Sequence, residues 1–421
     1  MKNRNKFLAV LFVSGAMLAM VATSQSPSNA PASFATPLNN NQTGAVSNGM
    51  TDNATFSADE AVFMEEEDIN VGLGPIYNAR SCVDCHATPN VGGTSQVTEL
   101  RVGHRDGHGN FVSPTISVND GGSSIPGRSL VNDRAICDQA QERVPATEGI
   151  HALRATTNTL GDGFIEAIDD ATLLAIARQQ AQESRGEIAG LAIQVPINEA
   201  PGQTRVGRFG WKDQHASLLS FSADAYVNEQ GVTSRLQPID TTTVCKTTSD
   251  PEDHPDASGL SDIDHFARFI RASQAPPRDT TLAATPDAQA GAQLFHQVGC
   301  DRCHVSSITT AKAGTVMNGG TFTVPPALGS QVIHPYSDFL LHNVGTGDGI
   351  VQHGGPETAN RMRTPPLWGL RTKGRLMHDL MSMTRNEAIV RHGGEAGAVV
   401  NNYRRLNISQ KSQLIAFLNS L

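Results

Sequence analysis

The sequence predicts an all-α fold with long loops and insertions, arranged as two units of similar outline. Four stretches carry apolar residues at helical spacing, and none shows the apolar–polar alternation of a half-buried strand. Gly (39) and Pro (22) are abundant between these stretches, which indicates long loops. The predicted helices cover residues 164–180, 262–273, 287–299 and 409–421.

The N-terminal residues predict export. Lys2, Arg4 and Lys6 precede an apolar run at 7–22, and small residues follow it. This order is typical of a cleaved signal peptide, and the run is shorter than the roughly 20 residues that span a bilayer. An uncleaved anchor is the alternative. We therefore expect a protein that is periplasmic or otherwise exported, with no membrane span after signal removal. The signal peptide is assigned to 1–24 and a flexible leader to 25–55.

The charge balance limits the possible partners. The net charge is −9, which argues against nucleic-acid binding and against a polybasic membrane contact. It favours solubility and the docking of a basic redox partner.

Two Cys-x-x-Cys-His motifs, at 82–86 and 300–304, are the strongest chemical signal. In each motif the two thiols lie one helical turn apart and reach the vinyl groups of one porphyrin edge, while the adjacent His points at the iron. A shared zinc site is disfavoured because the motifs lie far apart in the chain, and a redox dithiol needs no following His. The sequence therefore predicts two covalently bound haem c groups. Their attachment and proximal residues are Cys82, Cys85, His86, Cys300, Cys303 and His304.

The two motifs define two cytochrome c-like haem domains. A helix leading into the second motif, long loops and a final amphipathic helix follow the outline of a class-I cytochrome c domain. The Pro-rich break at 275–278 separates an N-terminal haem domain with insertions, 56–280, from a C-terminal haem domain, 285–421. The two remaining cysteines, Cys137 and Cys245, either pair in an oxidising compartment or stay as separate buried thiols.

Several longer motifs carry a family resemblance. The matching segments span nearly the whole predicted mature chain. They are 72–82 continuing through Pro89, then 92–93, 207–212, 336–342, 363–370, 377–379 and 392–396. The chain resembles the di-haem oxidoreductases, a peroxidase or thiol oxidoreductase family. That family is related to bacterial di-haem cytochrome c peroxidases and to the di-haem enzyme that matures tryptophan-derived quinone cofactors.

The resemblance implies roles around the second haem. In the related peroxidases a Trp relays electrons between the two haems, and Trp211 lies in the matching segment; a packed core Trp is the alternative. In the related peroxidases the sixth ligand of this iron is a Met that follows the segment corresponding to 377–379. The same count along this chain reaches His392 instead of a Met. His304 and His392 would then ligate the same iron, which lowers the reduction potential relative to His/Met ligation. The rival sixth ligands are Met362, Met381 and Met383.

The resemblance also implies that the first haem is the catalytic centre. His104 and His108 lie where the peroxidases carry a distal His, although Gly-rich runs of this kind are more often solvated loops. Spacing from the relay Trp puts Glu229 near the family's active-site Glu, with a solvated Glu as the alternative. The family's glutamine has no counterpart, because Phe221 occupies its place. Related enzymes hold Ca²⁺ between the domains through backbone carbonyls, which leave no sequence signature.

Two functions are compatible with these features. The first is a peroxidase-like oxidoreductase in which the C-terminal haem passes electrons to a catalytic N-terminal haem. The second is a non-catalytic di-haem electron-transfer cytochrome. The long insertions between the two motifs favour the enzyme. The expected partners are a small redox protein or a quinol-linked electron donor, and peroxide or another small-molecule substrate.

Overall fold

The computed structural model describes residues 27–34, 46–119 and 124–421. The predicted signal peptide and much of the predicted leader lie outside these residues. The described helices are α1 (Asn53–Phe63), α2 (Asp162–Glu166), α3 (Asp170–Glu183), α4 (Leu218–Ala225), α5 (Asp262–Ala272), α6 (Thr280–Ala283), α7 (Pro286–Val298), α8 (Arg385–Arg391), α9 (Gly397–Arg405) and α10 (Ile408–Asn419).

The all-α prediction is wrong, because 31% of the chain is helical and 17% is strand, which makes this a mixed α/β fold. Most of the strands are only two or three residues long. The described strands are β1 (Ser28–Asn29), β2 (Ile76–Tyr77), β3 (Thr98–Arg105), β4 (Phe111–Val112), β5 (Thr115–Val118), β6 (Ser124–Pro126), β7 (Leu130–Val131), β8 (Arg134–Ala135), β9 (Glu142–Arg143), β10 (Ile150–Ala155), β11 (Gln194–Pro196), β12 (Thr204–Val206), β13 (Ile308–Thr309), β14 (Val316–Met317), β15 (Phe322–Thr323), β16 (Gln331–Ile333), β17 (Leu341–His342) and β18 (Met362–Arg363).

Strand β10 shows why apolar–polar alternation did not predict the strands. Leu153 is 47% exposed, whereas its neighbour Arg154 is 1% exposed, so the charge points inward and the apolar side chain points outward. Arg154 is accommodated by an ion pair of 2.7 Å with Asp348, which is also buried. Because an ion pair made in the tertiary structure sets this orientation, the apolar–polar pattern of the strand does not reveal its buried face.

Three of the four predicted helices are present as α5, α7 and α10. The fourth, 164–180, is divided into α2 and α3. Asp169 lies between the two helices with extended backbone, and its carboxylate accepts the N–H of Ala171 as the N-cap of α3. The cap begins a new helix at a point where the apolar periodicity runs on without a break.

A four-stranded sheet replaces the long loops expected after the first motif. Strand β3 is antiparallel to β10, with Thr98 opposite Ala155 and Gly103 opposite Ile150. It also pairs with β7 and β4, and a second sheet has the order β6-β5-β9. The sheet brings the C-terminal end of β10 close to the segment that follows the first motif, because the hydroxyl of Thr94 donates to the carbonyl of Thr156.

The largest hydrophobic core draws residues from both predicted haem domains. Phe164 and Phe269 of the first unit pack in the same cluster as Phe339 and Trp368 of the second. A second core lies within the C-terminal unit, where α7 packs against α10 through Phe295 and other apolar residues. The boundary at 280–285 therefore lies beside a shared core, and the division into two domains stays a prediction.

Cys137 and Cys245 form a disulfide that joins positions 108 residues apart in the chain.

No helix in the described residues is both long and apolar enough to cross a membrane.

Candidate functional site

The first Cys-x-x-Cys-His motif forms a tight 3₁₀ turn. The turn covers Cys82–Asp84, and the hydroxyl of Ser81 caps its start by accepting the N–H of Val83. The backbone N–H of His86 donates to the carbonyl of Cys82 (2.9 Å), which places the ring directly after the two thiols. The His86 ring donates through Nδ1 to the carbonyl of Gly93 (3.0 Å). Because a carbonyl only accepts, Nδ1 carries the proton and Nε2 keeps a free lone pair.

The second motif repeats this geometry. Helix α7 ends at Gly299, whose φ of +96° suits glycine, and the turn Cys300–Arg302 follows at once. The backbone N–H of His304 donates to the carbonyl of Cys300 (3.0 Å), and its Nδ1 donates to the carbonyl of Tyr336 (2.9 Å). Burial lowers the pKa of His304 to about 4, so the ring is neutral and its Nε2 is free to bind a metal.

A second imidazole faces His304. The ring of His392 lies 6.5 Å from the ring of His304, measured between centroids, and its Nδ1 donates to the carbonyl of Ala388 (2.7 Å). Two imidazoles bound on opposite sides of one metal, with bonds of about 2 Å, place their centroids roughly 6.3 Å apart. The spacing and the two free Nε2 atoms are those of a pair that could hold one iron between them.

The space between these rings belongs to a cavity of about 340 Å³. Its wall includes both cysteines of the second motif, both facing histidines and a largely apolar surround. Met362 also lines it, whereas Met381 and Met383 are 68% and 56% exposed. Of the three methionines that rival His392 as a ligand, the structure therefore brings only Met362 to the cavity.

The polar part of the cavity wall suits the acidic edge of a porphyrin. Arg363, Lys373, Arg375 and Arg385 all line the cavity. Burial, followed by the nearby charge of Arg363, lowers the pKa of Lys373 to about 8, and the buried Nε of Arg385 has no hydrogen-bond partner among the described residues. Unpaired buried cations are costly, and the two propionates of a haem would pair with them. The residues around the second motif thus fit the group that its cysteines predict.

Trp211 lies between the two motifs. Its indole lines the cavity of the second motif, with its ring centroid 6.0 Å from that of His378. Its Nε1 donates to the carbonyl of Ala155 (2.7 Å), and the carbonyl of the next residue, Thr156, accepts the hydroxyl of Thr94 (2.7 Å) in the segment that follows the first motif. A short run of covalent and hydrogen bonds therefore connects the cavity wall to the first motif through Trp211.

One family of known proteins matches most of the chain. Residues 136–421 match the family described as "Di-haem oxidoreductase, putative peroxidase". The chain belongs to this family. Two haems and a redox function follow from the membership. No match was found among curated proteins.

Two solved structures align over nearly the whole di-haem oxidoreductase chain. One is hydrazine synthase of Kuenenia stuttgartiensis, pressurised with xenon, at 12% identity, full coverage of both chains and a TM-score of 0.41. The other is a MauG-like protein associated with microbial copper homeostasis, at 15% identity, 96% coverage of this chain, 95% of that chain and a TM-score of 0.41.

In this di-haem oxidoreductase Glu229 lies beside the first motif, in a π-helical turn formed by Tyr226–Gln230. Its backbone carbonyl accepts the N–H groups of Asn78 and Ala79, and its carboxylate accepts the side-chain amide of Asn78 (2.7 Å). Burial, followed by the negative charge of Glu99, raises the pKa of Glu229 to about 7. The carboxyl group can therefore both hold and release a proton near neutral pH.

Two residues near this turn, Gln230 and Glu99, are not predicted from the sequence. The side-chain amide of Gln230 donates to Sγ of Cys82 (3.3 Å), so a glutamine does stand at the first motif, directly after Glu229. Glu99 influences the pKa of Glu229 and is held by Arg101 at 2.8 Å. Phe221, which occupies the expected glutamine position, instead stacks on His215 at 5.0 Å. Neither Gln230 nor Glu99 had a sequence signal, because neither belongs to a motif of its own.

The two candidate distal histidines lie on the β3–β4 hairpin. The ring of His104 hydrogen-bonds the carboxylate of Glu148 (2.9 Å), and His108 lies in the turn, where its backbone N–H donates to Asp106. Both residues make these local contacts rather than any described contact with the first motif.

Two groups of acidic or metal-ligating side chains occur in the described residues. One is formed by Cys303, Asp338 and His342 at the second motif. The other, Asp240 with Asp250 and Glu252, surrounds the ammonium group of Lys246, which already serves as its cation. Calcium stays a prediction from the resemblance.

Proposed function

We propose that this di-haem oxidoreductase is an exported c-type peroxidase, in which electrons pass from the C-terminal haem through Trp211 to the N-terminal haem. The reaction consumes one hydrogen peroxide, two electrons and two protons and releases two water molecules. A small redox protein or a quinol-linked donor supplies the electrons. The position of Trp211, between the cavity of the second motif and the contact of Thr156 with Thr94 just after the first motif, carries the proposal.

The cysteines and histidines hold the two cofactors in this proposal. Cys82 and Cys85 form thioethers with one haem, and Cys300 and Cys303 with the other; His86 and His304 are the proximal ligands. When bound, each haem supplies one-electron redox chemistry. The Nδ1 hydrogen bond that each proximal histidine makes to a backbone carbonyl fixes the tautomer that presents Nε2.

Unequal surroundings assign unequal roles to the two sites. At the second motif His304 and His392 would both hold the iron, and the haem there would supply electron transfer. At the first motif the nearby Glu229 and Gln230 are an acid and an amide rather than a second imidazole. Beside the haem of the first motif, Glu229 would supply the proton that peroxide reduction requires.

Glu229 is the proton donor in this proposal. Its pKa of about 7 lets the carboxyl group hold a proton at neutral pH and deliver it when the O–O bond breaks. The amide of Asn78 orients the carboxylate at 2.7 Å. Reprotonation from solvent then completes the cycle at this residue.

Export is supported by two features. The order of charged, apolar and small residues at the N-terminus is that of a signal peptide. The disulfide between Cys137 and Cys245 is of a kind that persists mainly in oxidising compartments.

Two measurements on the purified holoprotein test the proposal. Electron paramagnetic resonance of the oxidised protein should show one low-spin haem and one that is high-spin or becomes so on reduction of its partner. Stopped-flow mixing with hydrogen peroxide should oxidise the half-reduced protein rapidly. Two low-spin signals that neither peroxide nor cyanide alters in any redox state would instead establish a non-catalytic di-haem cytochrome.

A further inference from the structure

Tyr226 is a buried phenol whose hydroxyl points at carboxylates. The residue is 2% exposed, and its hydroxyl donates to Oε1 of Glu67 (2.6 Å) and lies 3.1 Å from Oδ2 of Asp262. Burial, followed by the negative charges of Glu67 and Asp262, holds the pKa of Tyr226 well above its usual value. The phenol therefore keeps its proton at neutral pH, and a base is in direct contact with that proton.

A row of aromatic rings connects Tyr226 to the first motif. The ring of Tyr226 lies edge-to-face on Phe266, with centroids 5.1 Å apart, and Phe266 lies 5.9 Å from Phe63. Phe63 in turn lies 6.1 Å from the ring of His86. Tyr226, Phe63 and Phe266 are all buried. The phenol is thus linked to the first motif by packed rings that exclude water.

Glu67 is fixed against the same motif. Its backbone N–H donates to the carbonyl of Arg80 (2.7 Å), and Nε of Arg80 donates to the carbonyl of Glu67 (3.1 Å). Arg80 precedes Cys82 by two residues in the chain. Gln230, one turn after Tyr226, donates to Sγ of Cys82 (3.3 Å). Both the phenol and its proton acceptor are therefore anchored beside the attachment site of the first haem.

The surroundings of the Glu67 carboxylate make it a base near neutral pH. Burial raises the pKa of Glu67 to about 7, against the opposing effect of the hydrogen bond from Tyr226. The negative charges of Asp262, Glu65 and Asp253 raise this pKa further. As pH rises through about 7, the carboxylate becomes ionised and can accept a proton.

Asp262 is a second acceptor for the same proton. Burial raises the pKa of Asp262, the hydrogen bond from Tyr226 and the charge of His265 lower it, and the charge of Asp256 raises it. Two carboxylates with raised pKa values therefore share one phenolic hydroxyl.

Tyr403 offers a contrast within the chain. It is also buried, but its hydroxyl donates to the side-chain amide oxygen of Asn386 (2.7 Å). An amide oxygen accepts a hydrogen bond but is not a base near neutral pH. The carboxylates around Tyr226 therefore supply a proton acceptor that Tyr403 lacks.

We propose that Tyr226 is a redox-active residue, which supplies one of the two electrons of peroxide reduction when the second haem has none to give. This inference rests on the proposed function, because it names a further electron source for the first haem. One electron leaves the phenol and the first haem supplies the other, so that one hydrogen peroxide and two protons give two water molecules. Loss of an electron makes a phenol a strong acid. The O–H bond of Tyr226 therefore breaks, its proton moves to the carboxylate of Glu67, and a neutral phenoxyl radical remains. An electron from the redox donor and the proton held by Glu67 later restore the phenol.

The radical is detected directly by electron paramagnetic resonance. The fully oxidised holoprotein, at a pH of about 8 where Glu67 is ionised, is mixed with equimolar hydrogen peroxide and frozen within seconds. A radical signal near the free-electron position should appear, and it should narrow when the protein is grown with ring-deuterated tyrosine. A signal that does not respond to this labelling, or no signal although peroxide changes the haem spectrum, would overturn the proposal.

Matched substitutions assign the signal. Tyr226→Phe keeps the ring that packs on Phe266 and should remove the signal, whereas Tyr403→Phe should keep it. Haem absorbance and circular dichroism check that both variants are folded and carry both haems. A signal of equal size in the two variants would place the radical on another residue, and the assignment to Tyr226 would fail.

The role of the carboxylates has its own test. Glu67→Gln with Asp262→Asn leaves the phenol in place and should lower the radical yield per peroxide consumed about tenfold or more. The control pair, Glu65→Gln with Glu66→Gln, removes two exposed charges from the same segment and should change the yield less than about twofold. In the unmodified protein the yield should rise as pH increases through about 7, and this rise should disappear in the first pair. Equal yields in the two pairs would show that the carboxylates take no proton from Tyr226.

The haem spectra separate this inference from the proposed function. Haems that react with peroxide without a tyrosine-derived radical reject the role of Tyr226 alone. Two low-spin haems that peroxide leaves unchanged reject the peroxidase and, with it, the need for this electron source.

Discussion

His304 and His392 face each other across the cavity with ring centroids 6.5 Å apart, and each donates its Nδ1 proton to a backbone carbonyl. His304 is positioned by the turn after α7, whereas His392 directly follows α8, so two separate elements converge on one point. The carbonyls of Tyr336 and Ala388 select the same tautomer in both rings. Ligands held in this way need little rearrangement when an iron binds.

His392→Ala should therefore convert the second haem from low-spin to high-spin and leave the first haem unchanged. The physical reason is the loss of one of two strong axial ligands, with the covalent attachment through Cys300 and Cys303 intact. His334→Ala is the control, because His334 is exposed and absent from the cavity wall. Electron paramagnetic resonance checks the result, and an unchanged low-spin signal would assign the axial position to another residue, Met362 first.

Trp211→Phe should slow electron transfer between the haems by about tenfold or more, while both haem spectra stay unchanged. The substitution removes the indole N–H that bonds the carbonyl of Ala155, and with it the bonded connection to Thr156. Trp368→Phe is the matched control, because Trp368 is buried in the shared core and its Nε1 has no hydrogen-bond partner among the described residues. A tenfold change corresponds to about 1.4 kcal/mol of activation free energy. Equal rates in the two variants, measured by flash photolysis, would remove Trp211 from the pathway.

Peroxide reduction should decline as pH rises through about 7, because Glu229 must be protonated to donate and its pKa is raised to about 7. Glu229→Gln should lower the rate about 100-fold and abolish this inflection.

The raised pKa of Glu229 also affects stability. Folded Glu229 binds a proton that the unfolded chain releases, so its contribution is present below the ordinary pKa of 4.5 and is lost as pH rises toward about 7. Rate–pH profiles and denaturant unfolding at pH values of about 5 and about 8 measure the two effects.

Glu99→Gln should move the inflection of the rate–pH profile to lower pH. The negative charge of Glu99 raises the pKa of Glu229, and its removal leaves the guanidinium of Arg101, which lowers that pKa, without its carboxylate partner. Glu187→Gln, at an exposed carboxylate, is the control and should leave the profile in place. An inflection that stays at the same pH in both variants would show that Glu99 does not act on Glu229.

Asp348→Ala should be among the most destabilising substitutions at an ion pair. The carboxylate of Asp348 faces two buried cations, Arg154 at 2.7 Å and Lys212 at 3.4 Å, and all three side chains are 1% exposed. Removing it leaves buried positive charge without compensation, which costs about 3–5 kcal/mol in the free energy of unfolding. Glu66→Ala, which breaks an exposed pair with Arg80, should cost less than about 1 kcal/mol. Urea unfolding of both variants checks the difference.

Much of the candidate site could be predicted from the sequence, because its chemistry lies in local motifs. The thiols and histidine of each haem motif are neighbours in the chain, and a single turn is enough to bring them together. Counting along the chain also led to His392. In contrast, Gln230 reaches Cys82 only because the turn after α4 packs against the first motif, and nothing in the sequence marks that contact.

The sequence by itself determined the two haem motifs, three of the helices and the family resemblance, since each depends on residues close together in the chain. Tertiary structure alone decided the strand content and the contacts between the two units. β3 and β10 pair across a gap of more than 40 residues, and the inward Arg154 finds its carboxylate at Asp348 in the other predicted domain. Long-range backbone pairing and buried charge pairs depend on which residues are close in space. The local periodicity of the sequence does not predict which residues these are.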